Sequence, residues 1–245
     1  MISLFKKDTP FPAISDSVFS LRQRAYYNVY GTEQPFFMLW LQTNEAGETV
    51  SVISSLSGDV TLALTEKSDF DEIVSFLSAI GYSSIFLNNS FAGRFNFGKR
   101  EAGKIMRLEK RLEERKITFS EPDYKAIFDL LFKEEEASFE DWFTDLSHKK
   151  RHSGAEIHTC FDGKTLVSCA VCVAMTENEA LLGSVKTREN YRKRGFGTKT
   201  VTELCSFLQG KGKDIFLCRE ENKNKEFYSR IGFADCGEWM SIKNG

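Results

Sequence analysis

Residues 185–198 read Val185-Lys-Thr-Arg-Glu-Asn-Tyr-Arg-Lys-Arg-Gly-Phe-Gly-Thr198, between the apolar run Ala180-Leu-Leu182 and a pattern that predicts a helix from about Gly197 to Gln209. Gly195 and Gly197 sit just before that helix, where unpaired N–H groups and a partial positive charge collect. Glycine lets backbone approach an anion closely, so successive amides here can wrap a phosphate. Arg192, Lys193 and Arg194 add mobile charge beside them. The stretch lacks the Lys-Ser/Thr ending of a P-loop and does not follow G-x-G-x-x-G. Alone, it reads as a phosphate-holding loop or as a basic surface turn that uses glycine to change direction.

Outward from the loop, the second half predicts a helix from Tyr124 to about Glu135 and another around Phe139–Leu146. Strands follow at 155–161 and 164–175, joined by the hairpin signal Asp162-Gly163, and a third at 179–186 leads into the loop. After the helix come a strand at Asp214–Cys218, a short helix around Lys223–Arg230 and a last strand near 235–242. The first half follows the same grammar. Strand-like runs at 36–42, 49–57 and 59–65 precede a helix capped by Ser68 or Asp69, ended by Gly81, and followed by a strand at 84–87.

In one place the echo is literal. EIVSFLSAIGYSSIFL (72–87) aligns with ELCSFLQGKGKDIFL (203–217), with one residue fewer after the glycine. Copies about one compact domain apart predict two related domains, at 1–115 and 116–245. Ahead of the first copy stands LTEKSDF, with no glycine and one lysine. If the loop binds a ligand, only the second half does so.

Read as Arg192-x-x-Gly195-x-Gly197, the loop resembles the R/Q-x-x-G-x-G/A signature of the GNAT superfamily of N-acetyltransferases. Downstream, ENKNKEFYSRIGF (221–233) is similar to that family's second signature, an Asn-containing turn followed by F-Y-x-K/R-x-G-F. The resemblance implies an α/β (α+β) fold, a mixed and mostly antiparallel sheet flanked by helices, here in tandem. The second half would be the catalytic domain and the first a degenerate copy.

The resemblance also implies acetyl-CoA as cosubstrate. Amides from Arg192 through Lys193, Arg194, Gly195, Phe196, Gly197 and Thr198 would hold its pyrophosphate. Ser184, Val185, Lys186 and Thr187 would bond the pantetheine arm as a neighbouring strand does, which requires their strand to part from its partner, often at a bulge. An N–H near Val185 or Thr187 would face the thioester carbonyl. Tyr228 matches the family's position for the acid that protonates the leaving thiolate. Asn222 and Asn224 compete for the cofactor-contacting asparagine, with Asn222 preferred. Glu156 and His158 are candidates for the base that neutralises the attacking amine, with Glu156 carried forward and water activated by Ser184 as the alternative.

Composition sets the outer limits. The chain has 245 residues, 41% hydrophobic and 28% charged, with a formal net charge of −2. That supports a packed core and argues against a broad electrostatic grip on nucleic acid. The N-terminus lacks a signal-peptide apolar stretch and no run is long enough to span a membrane, so a cytoplasmic protein is expected. All six cysteines lie in the second half, and Cys169 and Cys172, three apart on a strand, point to opposite faces. Buried reduced thiols and no metal site are therefore expected.

Two further segments carry charge. SHKKRHSG (147–154) reads as an exposed basic turn, and Arg94–Lys116 as a strand with a charged interdomain connector in preference to an RNA-binding surface. The expected acceptor is a small-molecule or peptide amine, with no nucleic-acid or membrane partner, and a homodimer is left open. The rival reading is a non-catalytic acyl-CoA sensor.

Overall fold

The computed structural model describes residues 1–7, 9–14, 16–113, 121–133 and 137–244. Its strands are β1 (Ile2–Leu4), β2 (Phe37–Thr43), β3 (Thr49–Leu56), β4 (Asp59–Leu64), β5 (Ser84–Asn88), β6 (Lys99–Leu108), β7 (Glu156–Asp162), β8 (Thr165–Met175), β9 (Glu179–Thr187), β10 (Asp214–Glu220) and β11 (Phe233–Lys243). Its helices are α1 (Ser17–Tyr30), α2 (Phe70–Ile80), α3 (Tyr124–Leu131), α4 (Phe139–Arg151), α5 (Phe196–Gly210) and α6 (Lys225–Ile231).

The chain forms two compact units. One comprises Met1–Ile105, Arg219–Lys223 and Cys236–Gly245, and the other Met106–Cys218 and Asn224–Asp235. Compactness thus divides the chain differently from a single cut between 115 and 116, a position outside the described residues. The end of the chain returns to the first unit, where β11 pairs antiparallel with β5 from Trp239↔Asn88 to Lys243↔Ser84. A partner strand so far away in sequence leaves no local trace.

Each unit repeats one topology. In the first, β2, β3 and β4 form an antiparallel meander, α2 crosses over, and β5 lies parallel to β4. In the second, β7, β8 and β9 form the meander, α5 crosses over, and β10 lies parallel to β9. The registers correspond: Val60 pairs with Ile85, and Ala180 with Ile215, the isoleucines matched in the literal repeat. The result is a mixed α/β fold with mostly antiparallel strand pairing.

The repeat is held by the same burial in both copies. Ile73 and Leu77 of α2 are wholly buried against Leu62, Ile85 and Leu87, and Leu204 and Leu208 of α5 against Leu182, Ile215 and Leu217. Each such side chain contributes about 1.5–3 kcal/mol. A second core lies on the opposite face of β7 and β8, where Ile157, Cys169 and Val171 pack against Ile127 and Leu131 of α3 and Leu146 of α4. Cys172 belongs to the α5 core and Cys169 to this one, so the C-x-x-C pair does point to opposite faces.

Several expectations change. Helix α1 escapes the apolar periodicity because its buried face includes Ser20 and Gln23, and the Gln23 amide donates to the carbonyls of Val52 and Thr61, both at 2.8 Å. Helix α4 runs on to Arg151, so the basic segment read as an exposed turn is largely helix, and Lys149 is buried beside Asp145 at 2.8 Å. Four cysteines are buried, Cys218 is half-buried and Cys236 is exposed. Among the described residues no helix is long and apolar enough to cross a membrane, and no cluster of His, Cys, Asp or Glu could hold a metal.

Candidate active site

Strands β9 and β10 pair only from Glu179↔Asp214 to Leu182↔Leu217. At that point the β8–β9 pairing is irregular on both strands: Cys172 faces Leu182, offset by one from Ala174↔Leu181 on one side and from Ala170↔Val185 on the other, while the register beyond either side is the same. Gly183 and Ser184 thus form a bulge on β9 that Val173 of β8 compensates, and such a bulge bends the strand. Gly183 is required there, since a Cβ would lie 2.5 Å from a methyl of the stiff Val173 side chain. Beyond the bulge, Val185, Lys186 and Thr187 pair with β8 and line an open cleft.

The cleft has a volume of about 690 Å³. It brings together Val185, Lys186, Thr187, Arg192, Lys193, Gly195, Gly197, Thr198 and Tyr228 from the sequence-predicted set. Tyr191, Asn224, Glu226, Phe227 and Arg230 complete the lining. Lys193 and Gly195 have φ of +61° and +87°, and alternation into the left-handed region turns successive amides towards one concavity. Gly195 is the N-cap of α5 and offers no side-chain cap, so the helix presents its first amides uncapped. Gly197 brings the helix within reach of β9, where a Cβ would lie 2.8 Å from the Thr187 hydroxyl oxygen.

Other predicted residues do not line the cleft. Arg194 lies over the rings of Tyr191 and Phe196, at 4.9 and 5.3 Å, and its guanidinium is 3.6 Å from Asp162. Ser184 lies in the bulge, and Asn222 is absent from the lining, where Asn224 stands instead. Asn224 has φ of +61°, a conformation that asparagine tolerates better than most residues. Glu156 is buried on β7, its carboxylate accepting from Lys150 Nζ at 2.6 Å and from the Ile157 amide at 3.1 Å. His158, level with Val185 through Ala170, bonds Glu203 of α5 at 2.7 Å.

Tyr228 reaches the cleft from α6, wedged against Phe227 and Phe233 with ring centroids 4.9 and 5.9 Å away. Its side chain is largely buried. Burial, aided by the nearby Cys205 thiol, pushes its pKa up to about 12. The phenol therefore stays protonated at physiological pH and can donate one hydrogen bond.

The first unit keeps the architecture and closes it. Pairing between β4 and β5 also ends early, at Thr61↔Phe86, but β3 and β4 pair in unbroken register with no bulge. The Leu64 amide donates to Asp16 Oδ2 at 3.1 Å, and Asn88 at the end of β5 donates to Asp16 Oδ1 at 3.0 Å. Counting from Val60 and Ala180, Leu64 stands where Ser184 stands in the second unit. The α2 N-terminus is capped by its own residue, Asp69, which accepts from the Glu72 amide at 3.0 Å. Two carboxylates of the chain thus occupy the places that the second unit leaves open.

Residues 119–233 match the acetyltransferase (GNAT) family model. Among solved structures, the chain is similar over its whole length to a GNAT-family acetyltransferase from Colwellia psychrerythraea, all of which is covered (12% identity, TM-score 0.59). It is similar over 91% of its length to 84% of a GCN5-related N-acetyltransferase from Sphaerobacter thermophilus (12%, 0.60). It is similar over 89% of its length to 86% of a tandem GNAT protein from the clavulanic acid biosynthesis pathway (12%, 0.55). At such identities the likeness concerns the fold. No curated protein matches the chain in sequence.

Proposed function

Starting from residues 119–233 as a GNAT-family domain, we propose that the chain transfers an acetyl group from acetyl-CoA to the amine of a small molecule or peptide. The observation that carries this reading is the strand edge freed at the Gly183–Ser184 bulge, continuous with the uncapped α5 N-terminus. An extended arm can bond the edge of β9 at Val185–Thr187 as an added strand, while a pyrophosphate meets the α5 amides. Lys193 and Arg230 add positive charge to the same wall. The cofactor supplies the chemistry of an activated thioester, and the chain supplies placement and charge stabilisation.

The acceptor must arrive as a neutral amine, and the thioester carbonyl oxygen gains charge as nitrogen attacks. A β9 amide near Val185 donates to that oxygen. The carbon–sulfur bond then breaks and leaves a thiolate, towards which Tyr228 donates its phenolic hydrogen. With a pKa of about 12, Tyr228 is a weaker acid than an ordinary thiol near 8.5. Its contribution is therefore a hydrogen bond to the developing thiolate, with full proton transfer following once exclusion of water raises the thiol pKa. Glu156 is engaged by Lys150 and His158 by Glu203, so ordered water is the better base.

A thermal-shift series with acetyl-CoA, then acetyl transfer to a panel of amines, tests the proposal. A ligand of the folded state raises its apparent stability. A rise with acetyl-CoA and turnover of at least one amine are expected. No response to millimolar CoA thioesters removes the proposal, whereas binding without turnover favours the acyl-CoA sensor.

A further inference from the structure

Beside the cofactor cleft, still within the second unit, lies a second cavity of about 360 Å³ between the C-terminal end of α3 and residues 186–192. Lys186, Thr187, Tyr191 and Arg192 line both cavities, so the two share a wall. The charges of the second cavity do not balance. Its carboxylates are engaged: Asp129 pairs with Lys125 at 2.8 Å and Glu189 with Arg192 at 3.5 Å. Three cations, Lys133, Lys186 and Arg188, have no carboxylate partner among the described residues.

The bonds these cations do make are to neutral oxygens. Lys186 Nζ donates to the Leu131 carbonyl at 2.7 Å, where the α3 dipole offsets part of its charge. Arg188 Nε donates to the Leu166 carbonyl at 2.6 Å, which fixes the guanidinium and leaves both Nη groups without a partner among the described residues. Lys186 and Arg188 are half-buried. A carbonyl satisfies an N–H but does not neutralise a charge, and a fixed guanidinium fork matches a carboxylate or phosphate.

We propose that this cavity holds the anionic group of the acceptor, and that the acceptor is a small amine bearing a carboxylate or phosphate. The inference rests on the acetyl-transfer reading for the word acceptor, but anion binding can be tested without turnover. The volume suits a ligand of amino-acid or sugar-phosphate size. With its anion between Lys133 and Arg188, such a molecule lies against the shared wall, from which its amine can reach the cofactor cleft.

Succinate and inorganic phosphate, with uncharged succinamide as control, are titrated by calorimetry into wild type, Lys133→Gln, Arg188→Gln and Arg230→Gln. Saturable binding of one of the two anions identifies carboxylate or phosphate. It should weaken at least tenfold in Lys133→Gln and Arg188→Gln, and persist in Arg230→Gln, which lies in the cofactor cleft alone. Lys133 is exposed, so its variant reads out even if Arg188→Gln fails to fold. Loss in Arg230→Gln with retention in Lys133→Gln places the anion in the cofactor cleft and overturns the proposal, as does the absence of saturable binding up to roughly 10 mM, a site weaker than millimolar.

Glu134, Glu135 and Glu136 follow Lys133 in the sequence. An E134Q/E135Q/E136Q variant with anion affinity raised more than tenfold makes the chain's own carboxylates the occupant, and also overturns it. Where turnover is measurable, an amine bearing a carboxylate should lose its KM advantage over the matching amide in Lys133→Gln. Failure of acetyl transfer with anion binding retained would sink the acetyl-transfer reading and leave the cavity assignment standing.

Discussion

Asp16 and Leu64 are joined by a hydrogen bond of 3.1 Å that occupies, in the first unit, the amide position corresponding to Ser184 at the second unit's bulge. Burial holds the Asp16 carboxyl above its ordinary pKa, against the hydrogen bonds from Asn88 and Leu64 that lower it. Between the unfolded value, near 3.9, and the raised folded value, the folded state binds the extra proton. The Asp16 contribution to stability is thus fully present below that unfolded value and is lost as pH rises through the folded one. Urea unfolding of wild type and Asp16→Asn from pH 3.5 to 7 should show a wild-type advantage that falls with pH and then levels. An advantage that grows with pH means that the two hydrogen bonds outweigh burial.

Gly183 and Val173 should couple strongly. A Cβ at 183 meets Val173 at 2.5 Å, so Gly183→Ala is expected to cost about 1–3 kcal/mol. Val173→Ala should recover most of that loss, giving an interaction energy of roughly 1 kcal/mol or more in a double-mutant cycle. Additive effects would show that the bulge does not depend on this contact.

Tyr228→Phe should lower kcat by about 100-fold, the lower range for a positioned proton donor, while acetyl-CoA affinity changes little. Because the phenol titrates only at about 12, the ratio of wild-type to variant activity should stay flat from pH 6 to pH 10. A ratio that collapses within that interval would show that Tyr228 ionises there and does not act as the donor.

Thiol reactivity should separate the cysteines. Burial pushes Cys169 and Cys172 up to about 12 and raises Cys205 as well, which suppresses thiolate formation. Exposed Cys236 should react first with a chromogenic disulfide, half-buried Cys218 more slowly, and the rest only on unfolding. A fast phase that survives Cys236→Ser would contradict this order.

Local patterns made much of the fold readable. The matched parts of α2 and α5 bury Ile73 and Leu77, and Leu204 and Leu208, at helical spacing, and Asp162-Gly163 marks the β7–β8 hairpin. Arg192-x-x-Gly195-x-Gly197 marks the loop ahead of α5 because left-handed backbone at Gly195 and close approach at Gly197 both need glycine. Interactions distant in sequence were not readable. Helix α1 buries Ser20 and Gln23, β11 pairs with a strand some 150 residues earlier, and Glu156 is engaged by Lys150 from the preceding helix. Asn224 competes with Asn222 in sequence, and only the backbone conformation places it in the cleft.

The central claim is that the second unit binds acetyl-CoA through the cleft beside β9 and that the first unit is closed by Asp16 and Asp69. Calorimetric titration of acetyl-CoA into the full chain measures this most directly. The account predicts one site per chain, lost in Gly197→Trp and unchanged in Asp16→Ala, whose unit still lacks the glycine loop. No binding at millimolar acetyl-CoA, two sites per chain, or one site that survives in Gly197→Trp would contradict it.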